Sequence, residues 1–425
     1  MEINTNVKLF PSSFDGSVKA PPSKSLSHRA LICAALSHGE SRISNFVYSD
    51  DITATIGALE NLGARFEKRP NAIIVNGVKK VKLKSNEIYC NESGSTLRFL
   101  IPLFSLTEKE VHFLGEPSLM KRPQSIYQTI FDKDENTFLQ QENKIVVSGS
   151  IKARKYLVKG DVSSQFFSGL MFALPLLKED SEIIIDGVLE SENYIDLTID
   201  TLEHYGVNII KTDNGYYIEG NQTYTPKDYR VEGDYSQVAF YLVAGIIGGN
   251  VSVTDISHDS HQGDMAIVDI IQSMKGKVIF EENGYNTVKS NTKGAIIDIK
   301  NCPDLGPIIS LLAALSEGTT RIINAHRLRL KESDRIESTV STLSQLGANI
   351  KTNDDDIIII GKKTLKPESE VFDSYNDHRI AMMLGIASSR CESPITIKHA
   401  DCVNKSYPHF FEVLKSIGGK VRYKE

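Results

Sequence analysis

The chain has 425 residues, of which 40% are hydrophobic and 24% charged, and a net charge of −6. That length calls for two or three domains of ordinary size, and the composition is that of a globular protein. The mild negative charge argues against nucleic acid or an anionic membrane as partner, so any anion site must be a local concentration of basic groups. The longest apolar run, Phe166 to Leu177, is too short to span a bilayer and contains Pro175. The opening Met1-Glu2-Ile3-Asn4 is neither basic nor apolar, so no signal peptide is expected there. The five cysteines are scattered without a CxxC pair, from which a reducing, cytoplasmic setting and no structural zinc are expected.

In chain order, Glu2–Phe10 reads as a strand. Then a polar cluster followed by a helix-length apolar run occurs six times. The clusters are Pro22-Ser23-Lys24-Ser25, Glu92-Ser93-Gly94-Ser95, Asp161-Val162-Ser163-Ser164, Glu232-Gly233-Asp234-Tyr235-Ser236, Asn301-Cys302-Pro303-Asp304 and Tyr375-Asn376-Asp377-His378. From Lys24 through Gly94, Ser163, Asp234 and Asp304 to Asn376 the steps are 70, 69, 71, 70 and 72 residues, a six-fold internal repeat. Ser, Asp, Asn and Gly ahead of an apolar run are helix N-cap residues. A helix N-terminus presents free N–H groups and partial positive charge, so six such ends predict anion sites.

The runs are apolar nearly all round, which predicts helices buried on every face. A strand precedes each one, such as Ser17–Ala20 or Tyr229–Glu232, and another follows. Next come an amphipathic helix and two closing strands. The unit reads β-α-β-α-β-β. The sixth copy lacks a strand, and the N-terminal segment is expected to supply it. The fold class is α/β, with two domains of three repeats each. One spans 16–232 and the other 1–15 plus 233–425, with chain crossings near Asp15-Gly16 and Glu232-Gly233.

The basic residues Lys24, Arg29, Arg98, Arg122, Lys331, Arg335, Arg379 and Lys405 lie at or just after strand-to-helix turns. Singly, each is ordinarily a solvated surface charge. Recurrence at equivalent repeat positions points instead to an anionic ligand. Arg29 and Arg98 lie within apolar helices, where an unpaired charge is costly, so each is expected to need an anionic partner. Lys331-Glu332-Ser333-Asp334-Arg335 is open to two readings, a capping arrangement with exposed ion pairs or an anion site with Glu332 as acid and base. Asp304, from its own motif, reads as a plain N-cap.

Pro22-Ser23-Lys24-Ser25-Leu26-Ser27-His28-Arg29, Gly115-Glu116-Pro117 with Arg122-Pro123, Lys331 through Arg335, and Asn376-Asp377-His378-Arg379 resemble the signatures of the EPSP synthase family, in order from about residue 16 to 410. Ser163-Ser164-Gln165, Glu232-Gly233-Asp234 and Lys405-Ser406-Tyr407-Pro408 also fit. The resemblance implies an inside-out α/β barrel in each domain. It also implies transfer of the enolpyruvyl group of phosphoenolpyruvate to the 5-hydroxyl of shikimate 3-phosphate, with phosphate released and no metal or organic cofactor. By position, Lys24, Ser25, Arg29, Ser163, Ser164, Gln165, Ser191, Tyr194, Asp304 and Lys331 would hold shikimate 3-phosphate. Lys24, Gly94, Arg122, Arg335, Arg379 and Lys405 would hold phosphoenolpyruvate. Lys24, Asp304 and Glu332 would be catalytic, Asp304 as base on the hydroxyl and Glu332 as proton donor and acceptor at the methylene carbon. A cytoplasmic monomer is expected.

Glu92 departs from the family pattern, which has Asn there, and Arg327 stands where an Asn contact is usual, so that contact is not carried over. One rival is the related transferase acting on UDP-N-acetylglucosamine. It uses a loop cysteine, whereas Gly115-Glu116-Pro117-Ser118 occupies that region here. A non-catalytic phospho-ligand sensor is the other rival, and the presence of both Asp304 and Glu332 speaks against it.

Overall fold

A computed structural model of the protein describes residues 5 to 424. The expected unit recurs as six four-stranded sheets. Three of them come from one repeat each. Glu87–Tyr89 pairs in parallel with Val111–Leu114 across the helix Gly94–Ser105; Val111–Leu114 then pairs antiparallel with Lys144–Ser148, and that strand with Thr137–Gln140. The sheet built on Lys155–Lys159 and Ser181–Asp186 and the sheet built on Ile296–Asp298 and Thr319–Ile323 follow the same order. The parallel step needs a crossover, which the core helix supplies. In the sixth sheet Asn6–Phe10 pairs with both Ile395–Lys398 and Lys420–Lys424, filling the missing place. The part of that predicted strand before Thr5 lies outside the described residues.

Two strands are exchanged relative to the sequence reading. Asp15–Lys19 does not serve the first copy; it pairs in parallel with Asn250–Thr254 of the fourth. Tyr229–Arg230 does not serve the fourth copy; it pairs with Glu40–Ser44 of the first. The reason is where the chain changes units. One compact unit is Pro22–Glu232, and the other joins the residues through Pro21 to those from Gly233 onward. A strand that ends just before a crossing can add only to a sheet of the unit it is leaving. The boundary expected near Asp15-Gly16 is therefore corrected to Pro21-Pro22.

Each unit is centred on three core helices: Lys24–Leu36, Gly94–Ser105 and Ser164–Ala173 in one, Tyr235–Gly248, Gly306–Ala314 and His378–Ala387 in the other. Every residue from Leu26 to Leu36 and from Gln237 to Ile247 is buried. This is why the runs have no polar face, and each large apolar side chain so buried contributes about 1.5–3 kcal/mol. The second helices, such as Asp50–Asn61 and Arg335–Gln345, keep a wet face, and the glycines that follow them, Gly63 and Gly347, adopt positive φ of 108° and 83°.

Close helix approach depends on Gly169. A Cβ there would lie 2.2 Å from Tyr127 Oη and 2.3 Å from the carbonyl of Arg98, which itself accepts the Tyr127 hydroxyl at 2.5 Å. Gly169→Ala must push the second and third core helices apart, and a destabilisation of about 1–3 kcal/mol is expected. Urea unfolding checks this: a midpoint equal to wild type would show that the spacing is not held there.

Candidate active site

The core-helix N-termini are built locally. Side-chain oxygens of Ser23, Ser93, Ser163, Asp234 and Asp377 accept the backbone N–H of Leu26, Thr96, Gln165, Gln237 and Arg379 at 3.4, 3.1, 3.3, 3.1 and 2.9 Å. The fifth helix differs. A 3-10 turn, Pro303–Leu305, leads into Gly306–Ala314, and no side chain caps it. Asp304 is therefore not the plain cap its motif predicts. It sits inside the turn, two residues past the cap position Cys302, and this frees its carboxylate for other partners.

In the unit Pro22–Glu232, Lys24 Nζ is paired with Asp51 at 2.5 Å. Asp51 opens the next helix, Asp50–Asn61, behind the cap Ser49. Sequence reasoning passed over it, although Ser49-Asp50-Asp51 was a visible helix start. The partners of Arg29 within the chain are neutral oxygens. Its Nε donates to Thr198 Oγ1 at 2.8 Å, Nη1 to the Ser25 carbonyl at 2.8 Å and Nη2 to the Tyr194 carbonyl at 2.7 Å. Burial, only partly offset by neighbouring groups such as Tyr194, lowers its pKa to about 10. Ser191, buried, precedes the helix Glu192–His204 in a left-handed conformation, φ 56°.

The second and third core-helix starts converge. Arg98 donates from Nη1 to Gln165 Oε1 at 3.0 Å, and Gln165 donates to Ser95 Oγ at 3.0 Å. Gly94 lies against the same group: a Cβ there would sit 3.0 Å from Arg122 Nη1 and 3.4 Å from Gln165 Oε1. Arg122 is only 8% exposed, and its Nε and Nη2 have no partner among the described residues. A buried guanidinium with open donors beside a helix N-terminus is suited to an anion. Glu92, also buried, accepts the Ser118 hydroxyl on Oε1 at 2.5 Å. Ser118 belongs to the Pro117–Met120 turn that leads into Arg122.

The unit from Gly233 onward holds a denser cluster. Asp304 takes Lys331 Nζ at 3.0 Å, Arg335 Nη1 at 2.7 Å and Arg379 Nη2 at 3.3 Å. Arg335, 1% exposed, spreads its guanidinium over three carboxylates: Asp304, Glu332 Oε2 at 2.5 Å and Asp377 Oδ2 at 2.8 Å. The Lys331–Arg335 segment shows the capping its sequence allowed, with the ion pairs of Arg335 buried instead of exposed. Asp334 caps Arg335–Gln345 through the N–H groups of Ile336 and Glu337, while Arg335 forms a buried ion network. Lys405 Nζ donates to the Asn376 carbonyl at 2.5 Å.

Burial would raise the Asp304 pKa, but Arg379, Lys331 and Arg335 together hold it well below the carboxylate range. Burial likewise opposes ionisation of Asp377, and Arg335 outweighs it, so this group too is shifted down. Lys331 is lowered by burial in spite of Asp304. Asp264, which sequence reasoning missed, is buried beside this cluster; burial and the nearby Asp304 charge push it up to about 6. No group of three or more His, Cys, Asp or Glu side chains among the described residues is arranged to hold a metal ion.

Residues 10–414 match the model of the family described as EPSP synthase (3-phosphoshikimate 1-carboxyvinyltransferase). The chain is 46% identical to a 3-phosphoshikimate 1-carboxyvinyltransferase of Clostridioides difficile, covering 98% of each. It is 47% identical to one of Clostridium perfringens, covering 97% of this chain and 98% of the relative. Its fold superposes on an EPSP synthase from Acinetobacter baumannii with a TM-score of 0.83 at 23% identity, over 99% of this chain and 100% of that one. The enolpyruvyl transferase NikO from Streptomyces tendae shares the fold at a TM-score of 0.79 and 15% identity, over 99% of each chain.

Proposed function

The chain belongs to the EPSP synthase family, and on that premise we propose that it transfers the enolpyruvyl group of phosphoenolpyruvate to the 5-hydroxyl of shikimate 3-phosphate. Phosphate is released and the product is an enolpyruvyl ether. Lys24, Ser25, Arg29, Ser163, Ser164, Gln165, Ser191, Tyr194, Asp304 and Lys331 bind shikimate 3-phosphate. Lys24, Gly94, Arg122, Arg335, Arg379 and Lys405 bind phosphoenolpyruvate. Arg122 supports this assignment, since an enol phosphate gives its open N–H groups the acceptors they lack.

The chemistry needs two protons to move at different atoms. Asp304 takes the proton of the 5-hydroxyl as its oxygen attacks C2 of phosphoenolpyruvate, and Glu332 delivers a proton to C3. The tetrahedral intermediate then loses phosphate as Glu332 takes a C3 proton back. Asp304 begins as a weak base because three cations hold it. As the substrate anions draw Lys331, Arg335 and Arg379 onto themselves, its basicity rises at the moment it is needed.

The observation that carries the reading is that Asp304 and Glu332 sit on two nitrogens of one buried arginine. A receptor for two anions would gain nothing from two added carboxylates. The test is phosphate release from phosphoenolpyruvate. It is expected with shikimate 3-phosphate and not without it; release with UDP-N-acetylglucosamine instead would overturn the substrate assignment.

The same reading makes the enzyme a cytoplasmic monomer. The five cysteines are buried and unpaired, and no helix among the described residues is long and apolar enough to cross a membrane. Light scattering at micromolar concentration that gives a dimer mass would refute the monomer.

Glu92 bears on the phosphoenolpyruvate side. Its bond to Ser118 ties the carboxylate to the turn that carries Arg122. Glu92→Asn loses one buried hydrogen bond, worth about 0.5–1.5 kcal/mol. Stability is expected to fall by that much, and phosphoenolpyruvate affinity to stay level or weaken slightly. Calorimetric binding tightened tenfold would show instead that the carboxylate repels the substrate.

A further inference from the structure

Beneath the cationic turns of the unit Pro22–Glu232 runs a chain of polar side chains that the reaction above does not use. His28, 0% exposed, lies one residue before Arg29 in the first core helix. Its Nδ1 is 2.7 Å from Thr55 Oγ1, and Thr55 Oγ1 is 2.6 Å from Thr96 Oγ1. Thr96 Oγ1 donates to Ser93 Oγ at 2.7 Å and also lies 3.4 Å from the carbonyl of Asp51. Ser93 is the cap of the second core helix, and Thr55, Thr96 and Ser93 are as buried as His28. The chain thus joins three helix starts, those carrying Lys24, Asp51 and Gly94. Apolar side chains of similar size at these places would avoid the cost of burying polar groups, so packing alone does not account for it.

Its direction follows from counting protons. Each hydroxyl has one to give. Thr96 gives its proton to Ser93 Oγ or the Asp51 carbonyl, so Thr55 must donate to Thr96. Thr55 then has no proton for the imidazole and must accept one from Nδ1–H. This leaves His28 Nε2 as a bare lone pair, and that nitrogen has no hydrogen-bond partner among the described residues. The reverse direction would bury an unpaired N–H, which folded proteins avoid more strictly than an unpaired acceptor. Burial first, then the nearby Lys24 and Arg29 charges, hold the imidazole pKa well below its ordinary value.

We propose that His28 is a positioning residue: as the Nδ1–H tautomer it heads a four-member hydrogen-bond chain that holds the Gly94 helix start in register with the Lys24 turn. This rests on reading Gly94 as a phosphoenolpyruvate contact. The group never touches substrate. It sets the spacing between the two turns that grip the enol phosphate.

The test has two independent parts. In ¹⁵N-histidine-labelled protein at pH 7, the His28 signal is the one that vanishes in His28→Asn and shifts in Thr55→Val. It is expected to show a protonated Nδ1 and a bare Nε2; an Nε2–H tautomer or an imidazolium overturns the proposal. In steady-state kinetics, losing one chain hydrogen bond in Thr55→Val is expected to raise KM for phosphoenolpyruvate about five- to tenfold. Changes in kcat and in KM for shikimate 3-phosphate stay within about twofold, small beside the energy of one such bond. His28→Ala behaves like Thr55→Val. His28→Asn keeps wild-type kinetics, because its amide N–H takes the place of Nδ1–H. An unchanged KM in Thr55→Val, or a loss shared equally by both substrates, also overturns it. If the wild-type protein releases no phosphate from phosphoenolpyruvate, the proposed function fails, and the spectrum still decides whether the chain has the stated tautomer.

Discussion

Glu332→Gln is expected to lower turnover by about 10²–10⁴-fold, the range typical of a general acid–base group. The substitution keeps the shape of the side chain and removes its proton chemistry. It also keeps the local architecture, because a Gln carbonyl can still accept Arg335 Nη2 where Glu332 Oε2 now does. Arg335 retains Asp304 and Asp377 as counter-charges. Binding of shikimate 3-phosphate should therefore change little, and the loss should fall on kcat. Single-turnover rates with both substrates separate these effects. A Gln variant within threefold of wild type would fall below that range and remove Glu332 from the mechanism.

Asp377→Ala should give the largest change in stability. Asp377 is fully buried, its Oδ2 accepts Arg335 Nε and the Ser333 hydroxyl, and its Oδ1 caps the sixth core helix at Arg379 N. Removing one partner of a buried ion pair typically costs about 3–5 kcal/mol. The lower end is expected, because Asp304 and Glu332 still face Arg335. Asp377→Asn gives the pH signature. The folded-state pKa is shifted down, so the contribution is fully present above the unfolded value of about 3.9 and is lost as pH falls toward the folded one. The gap in thermal midpoint between wild type and the Asn variant should hold from pH 7 to about 5 and shrink below pH 4. A gap that widens on acidification would mean the carboxylate is not ionised in the folded protein.

Much of this was decided locally and so could be read from the chain alone. A core helix advertises itself by having no polar face, and its start by a Ser or Asp whose oxygen reaches an N–H within three residues. The β-α-β-α-β-β order follows from signals of that range, the six copies from their repetition, and the place of Asn6–Phe10 in the sixth sheet from the strand the last copy lacks. The family motifs are equally local, since each is a continuous run of residues.

The tertiary structure decided what depends on residues far apart in the chain. Asp15–Lys19 and Tyr229–Arg230 carry the same strand signal; only the crossings at Pro21-Pro22 and Glu232-Gly233 determine which sheet each one joins. Of the acceptors Arg29 finds within the chain, its own helix offers one carbonyl, that of Ser25, and the other two arrive with Tyr194 and Thr198. Asp304 looked like a cap because three cations, brought in by the Lys331–Arg335 segment and the sixth core helix, are invisible in Cys302-Pro303-Asp304. Charge acts through space, at a few ångströms, whatever the separation in sequence.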